Sequence, residues 1–466
     1  MGQALSRMSS AQQGGTQWLP MFLIFSTGVT LLEQYLEYRQ LKRDYEKKIP
    51  KELKGIISEE RFHKAQAYNA EKRVFGMYKS LFDFGLQTVY LVFFVYPWMW
   101  SLSGRCFGTN EYAQSLGFWL FHTVIMELIG TPWSLYYDFV IEERHGFNKK
   151  TMALFWMDKL KSNAIAAVIG PPIICAIIWI VHKGGKKMFL WLWGFTMCIS
   201  LAALFIYPNL IAPLFNKYEA LKDDKLRKEI EDLASGLKFP LGKLYQVDGS
   251  KRSSHSNAYM YGFWFEKRIV LFDTLLNLSH DKILAILAHE LGHWKHGHTL
   301  QMMLQGFAHQ FVIFYIYSAV AWNEGLFRSF GFNDKSVLIG LTLFSLIFSP
   351  VNEVISLLQT LLSRVYEFQA DRFSASLGYG DSLKGGLKEI SEQNLSCFNP
   401  DPWYAWYHYS HPPLVERLRG IEKYQATTTT SCSSEGDDQP GRTEAATEAE
   451  KEPLLAAATG GKDKEL

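Results

Sequence analysis

The chain has 466 residues and a net charge of +2, and its basic residues gather in particular loops. That pattern sets membrane orientation and does not bind a polyanion, so no nucleic-acid partner is expected. Five cysteines, Cys106, Cys175, Cys198, Cys397 and Cys432, stand far apart without a CxxC pair, which argues against a disulfide framework or a cysteine metal cluster.

After an N-terminal segment, 1–17, apolar runs of roughly membrane-spanning length predict seven crossings, at about 18–38, 80–103, 112–137, 161–182, 187–212, 300–323 and 336–361. The first lacks a small-residue cleavage site, so it reads as an anchor and not a removable signal. Many of the 33 Phe, 23 Tyr and 14 Trp lie at the ends of these runs, where an interfacial belt belongs. Twelve Lys and Arg between Arg39 and Lys79 place the first loop in the cytosol. Seven crossings then put the N-terminus in the lumen and residues 213–299, together with everything after 361, in the cytosol. Polar residues inside the runs, such as Gln114, His122 and Glu127, are costly against lipid and face either neighbouring helices or a wet chamber.

Residues 18–212 therefore form five spans, and 213–299 an inserted soluble lobe with a charged helix near 219–238, strands at Lys243–Asp248 and Lys267–Phe272, and a histidine-bearing helix. Two more spans occupy 300–361, a catalytic segment 362–424, and a tail at 425–466 whose Thr, Ser, Glu, Ala and Gly composition predicts disorder. Gly2 fits a myristoylation pattern that a lumenal N-terminus would leave unused, and Lys462 and Lys464 resemble a cytosolic dilysine signal. Sequons at Asn277 and Asn394 fall on the cytosolic side and should carry no glycan.

The chemistry concentrates in His289-Glu290-Leu291-Gly292-His293. On a helix, His289 and His293 share one face and can hold one metal ion, expected to be zinc. Glu290 lies about 100° round the turn, placed to act as general base towards a water at the metal. A catalytic zinc needs a third protein ligand. The extended three-histidine pattern would require Gly at 296 and His at 299, but the chain has His296 and Thr299, so the route falls to Glu367 in Glu367-Phe368-Gln369-Ala370-Asp371. Asp371, one turn on, could accept the free N–H of a ligand histidine. His298 is open between support of the site, substrate contact and simple packing.

Several blocks then resemble the integral-membrane CAAX prenyl endopeptidases: Pro132 to Tyr136, Phe139 to Asn148, Gly249 to Tyr259, Arg268 to Leu275, the helix through His298, Glu367 to Asp371, and His408 to Pro413. The resemblance implies an all-α multi-pass fold, seven helices forming a barrel around a large chamber, with a small α/β zinc-metallopeptidase lobe. It implies removal of the last three residues from prenylated, typically farnesylated, CAAX proteins in the endoplasmic reticulum membrane, with the nuclear envelope included. By resemblance, His289, His293 and Glu367 are zinc ligands, Glu290 the base, Asn257 and Ala258 the peptide-holding edge, and His411 and Arg417 the substrate and oxyanion contacts. The alternatives are a site-2-type intramembrane metalloprotease, disfavoured by the polar residues bracketing the metal helix, and a non-enzymatic membrane scaffold, which would not need Glu290.

Overall fold

A computed structural model describes residues 17–263 and 266–434. The chain divides into two compact units. The first, of residues up to Tyr35 with Lys72–Phe215 and Met302–Glu353, is helical; the second, Leu36–Glu71 with Asn216–Gln301 and the segment from Val354 onward, contains the sheet and the histidine helix.

In the first unit the expected spans correspond to α1 (Trp18–Asp44), α2 (Glu59–Val92) with α3 (Val95–Phe107), α4 (Glu111–Tyr136), α5 (Met152–Gly184), α6 (Met188–Ile206), α9 (His298–Val320) and, after the short α10 (Glu324–Ser329), α11 (Val337–Ser374), some of which continue into the second unit. Asn110 and Thr151 start α4 and α5 by accepting the N–H groups of Tyr112 and Leu154. By length and apolarity three stretches among the described residues qualify to cross a membrane: α1, the run Met152–Phe215 that contains α5 and α6, and the run from Val337. The bent pair α2 and α3 makes a fourth. α4, with Gln114, His122 and Glu127, and α9, with Gln301, Gln305, His309 and Gln310, fall short of that apolarity. Only 17% of the most apolar window in Met152–Phe215 is buried, so its Val168, Trp191 and Leu210 need a lipid surround.

The second expected span is not one straight helix. α2 and α3 meet at 64°, with Phe94 in the left-handed region at φ 55°. The break is supported by packing, because the Phe94 ring fills the space beside Gly331, itself at φ 82°. Gly331→Ala therefore meets both a forbidden backbone conformation and the ring, and should destabilise the protein by about 2 kcal/mol, read as a lowered midpoint in detergent thermal unfolding.

In the second unit four strands form a sheet of order β1-β2-β4-β3: β1 (Tyr218–Ala220), β2 (Leu241–Val247), β3 (Ala258–Phe263) and β4 (Glu266–Phe272). β2 and β4 run parallel, the other two pairs antiparallel, and β3 is left at the edge. The charged helix is shorter than expected, α7 (Asp224–Gly236), because 218–220 are used as β1 and Asp223 caps the helix through the Leu226 N–H. Leu226 and Ile230 of α7, Ile269 and Leu271 of β4, and Ile283, Leu287 and Leu291 of α8 (His280–Lys295) make one core. Burial of this order, ~2 kcal/mol per large apolar side chain, fixes α8 on the sheet.

α12 (Gly380–Gln393) packs along α8, tied by Lys282 to Glu389 at 2.7 Å. The chain then passes through 394–401 to α13 (Pro402–His408) and α14 (Leu414–Ser434). Arg39 grips Asp401 through Nε and Nη2, and Gln40 accepts the Asp401 N–H, which holds this connection against the end of α1. α14 continues past 425, where the disordered tail was expected to begin, with Thr427 and Thr428 bonding back to the Tyr424 carbonyl. Gly2, Lys462 and Lys464 lie outside the described residues.

Candidate metal centre

α8 presents His289 and His293 one turn apart, as the sequence spacing predicts. It ends where Gly297, at φ 69°, permits the left-handed turn that stops a helix, and His298 opens α9. That reversal folds His298 back on its neighbour: its Nδ1 is 3.0 Å from His293 Nδ1, its Nε2 is 2.8 Å from Gln369 Oε1, and its ring stacks on Tyr366. His298 is buried and lies against His293.

Glu367 was expected beyond the last span on a separate segment starting at 362. Instead, α11 is one helix from Val337 to Ser374, and Glu367 lies within it. Two contacts set how closely α11 can approach α8. Ser374 Oγ donates to the Ala285 carbonyl at 2.9 Å, and Gly292 leaves room for Ala370 and Phe373, since a Cβ there would lie 3.1 Å from each. The approach brings Glu367 Oε1 to 3.3 Å from His293 Nε2 and Oε2 to 3.6 Å from His289 Nε2, with the two imidazole Nε2 atoms 3.2 Å apart.

Those separations test the donor set. Ligand atoms about 2 Å from a tetrahedral ion lie roughly 3.3 Å from one another, and the three distances scatter around that value. Among the described residues these three are the one group whose ligand atoms converge in this way. Glu367 Oε2 is also buried and makes no well-directed hydrogen bond, although nitrogens of His411, Arg417 and His289 lie within 3.6 Å of it, so it keeps a lone pair that a cation could use. The residues present fit a zinc ion.

Around this triad sit the other expected groups. Asp371 Oδ1 is 2.9 Å from His289 Nδ1, which leaves Nε2 towards the metal position. Arg417 grips the same carboxylate, Nη2 to Oδ1 at 2.6 Å and Nε to Oδ2 at 2.9 Å, and its Nη1 lies 3.6 Å from Glu367 Oε2. His411 places Nδ1 3.0 Å from Glu367 Oε2 while its side chain stays 67% exposed, so it borders both the site and open solvent. Glu290 is half-buried and, among the described residues, makes no hydrogen bond or ion pair, although its charge is felt by Arg417. Asn257 and Ala258 lie at the start of β3, a strand that contacts α8; Asn257 is exposed, and its Oδ1 accepts the Ala258 N–H at 2.8 Å. The sequence reading missed Gln369 and Tyr366, although Gln369 lies inside the Glu367–Asp371 block.

Burial alone would depress the His289 imidazole. The adjacent carboxylates of Asp371, at 2.9 Å, and Glu367, at 3.6 Å, outweigh that and hold it up at about 9. The same anionic field that favours a proton favours a dication, and the two compete for His289. Below about 9 the metal-free site is protonated, so metal binding must release that proton and affinity falls with pH. Competition with a chromophoric chelator should show zinc affinity dropping by up to ~10-fold for each unit from pH 8 to pH 6. Gly292→Val, which forces α8 from α11, should cost at least ~10-fold in zinc affinity at fixed pH, measured by the same titration.

The sequence matches two family descriptions: "CAAX prenyl protease N-terminal, five membrane helices" over residues 37–217 and "Peptidase family M48" over 220–425. A CAAX prenyl protease 1 homolog of Arabidopsis thaliana is 46% identical over 84% of this chain and 94% of its own length. The Homo sapiens homolog is 39% identical over 86% and 94%, and CAAX prenyl protease 1 of Saccharomyces cerevisiae 36% identical over 87% and 95%. The crystal structure of S. mikatae Ste24p superposes with a TM-score of 0.84 at 36% identity, covering 87% of this chain and 99% of that one.

Proposed function

The chain belongs to the CAAX prenyl protease 1 family of M48 membrane metallopeptidases, and on that premise we propose that it releases the last three residues of proteins bearing a prenylated C-terminal cysteine. The observation that carries the reading is the convergence of His289, His293 and Glu367 at separations suited to one zinc ion, on a helix that also bears Glu290. An intramembrane site-2-type centre would need its metal helix at bilayer depth, whereas α8 packs on a four-stranded sheet.

In this reading His289, His293 and Glu367 hold the ion. Zinc, when bound, polarises the scissile carbonyl and eases deprotonation of the attacking water. Glu290, the one carboxylate of the site not committed to another side chain, takes the proton from that water and returns it to the leaving nitrogen. Asp371 fixes the His289 tautomer, and His298 orients His293. Arg417 and the exposed His411 supply donors towards the oxygen on which charge develops. The free edge of β3 from Ala258 holds the peptide extended through its main chain, which tolerates varied side chains. Apolar spans suit the lipid-modified cysteine, because the prenyl group need not enter water. We further infer seven spans enclosing a chamber, residence in the endoplasmic reticulum and nuclear envelope, and a cytosolic C-terminus; support comes from the clustering of basic residues in the loop from Arg39 to Lys79 and from the family resemblance.

Purified protein should cleave a farnesylated CAAX peptide and lose activity to a zinc chelator. Glu290→Gln should lower kcat at least ~10³-fold while bound zinc, counted by elemental analysis, stays stoichiometric. Retained turnover in that variant would sink the assignment of the base. Equal rates on the farnesylated and unmodified peptides would sink the prenyl part of the proposal.

A further inference from the structure

The register of β3 shows which of its main-chain groups are available. Ala258 pairs with Leu271, Tyr259 with Val270 and Tyr261 with Arg268, and the Phe272 N–H donates to the Asn257 carbonyl at 3.0 Å. In an antiparallel pair the main-chain groups of alternate residues point at the partner and those between point away. Asn257, Tyr259 and Tyr261 therefore face β4, whereas Ser256, Ala258, Met260 and Gly262 face the free edge. The Gly262 carbonyl confirms the phase, since it accepts from Lys267 Nζ and not from a strand.

At Ser256 that edge is already occupied. Asn394 Oδ1 accepts the Ser256 N–H at 3.0 Å and Nδ2 donates to the Ser256 carbonyl at 3.4 Å, so one carboxamide makes the two bonds that a residue of an added strand would make. Gln393 Oε1 accepts from Ser256 Oγ at 3.1 Å, and Ser256 is buried. Asn394 itself is held in place. It follows α12, which is bound to α8 through Lys282 and Glu389, and the carbonyl of its neighbour Leu395 accepts from Asn69 Nδ2 at 2.9 Å.

We propose that Asn394 is a positioning residue that ends the peptide-holding edge at Ser256 and sets the register in which an extended substrate lies across the metal site. The inference rests on the peptide-processing reading above. Among the described residues, the edge groups then left for a peptide run from the Ala258 carbonyl, whose own N–H is held by Asn257 Oδ1, through Met260 to the Gly262 N–H, a length of roughly 10 Å, or about three residues of added strand. Because α12 fixes Asn394 relative to the helix carrying His289 and His293, the stop and the metal keep a constant separation. A constant separation selects one bond for cleavage among those of an otherwise uniform extended chain.

The test uses the full-length protein in detergent with a farnesylated CAAX peptide, its products weighed by mass spectrometry. Wild type should give one cut. Asn394→Ala should raise KM about 5-fold to 10-fold with kcat within about 2-fold, and should add products displaced by one or two residues. Asn394→Asp, which keeps the acceptor and loses the donor, should show the same changes in smaller measure, and it serves if the alanine variant does not fold. Zinc content should be unchanged in both. A single unshifted cut with unaltered KM in either folded variant overturns the proposal. If wild type cuts nothing, the functional reading fails instead, and the stop is judged by hydrogen exchange. The Ser256 amide should exchange faster in Asn394→Ala while Ile269 to Leu271 stay protected; unchanged exchange at Ser256 overturns it.

Discussion

The close approach of α8 and α11 at Gly292 is the constraint on which the second unit depends. Neither helix contains a complete metal site: α8 offers two imidazoles and α11 one carboxylate and its neighbour Asp371. A Cβ at position 292 would lie 3.1 Å from Ala370 and Phe373, so a side chain there would press against the helix from which Glu367 reaches both histidines. The Gly in the His289–His293 pentad thus has a steric role beside the chemical roles proposed for its neighbours.

Bringing those helices together buries charge, and the surrounding residues manage it. Asp371 sits between His289 and Arg417, and the guanidinium fork engages both its oxygens while also leaning towards Glu367. A buried carboxylate without such partners would cost several kcal/mol. Planar bidentate geometry makes arginine hard to replace by lysine here. Glu290 is the exception, a carboxylate left without a hydrogen bond or ion pair among the described residues, which suits the proton transfer proposed for it.

What the sequence made legible is what depends on local spacing. A spacing of four from His289 to His293 implies one helical face whatever surrounds them, and the failure of the extended histidine pattern leaves a later carboxylate. Asp371 follows from being one turn beyond Glu367. Contacts joining distant segments were not legible: Asn394 on Ser256, Arg39 on Asp401 and Gln369 on His298 depend on the folded chain. The break at Phe94 was hidden for a related reason: Pro97, three residues on, is tolerated in the first turn of a helix and does not by itself fix a break, and the support comes from Gly331, far along the chain. The apolar pattern showed where helices lie but not that the last one continues unbroken to Ser374.

That continuity ties two surfaces together by rotation. Val351, Val354 and Leu358 expose apolar side chains on the same helix that later delivers Glu367 and Asp371. Each residue added or removed between them turns one surface about 100° against the other. The span can therefore not be lengthened or shortened one residue at a time to suit a thicker or thinner bilayer. Only changes close to whole turns keep both faces in phase, so adjustment to membrane thickness falls to helices that carry no ligand.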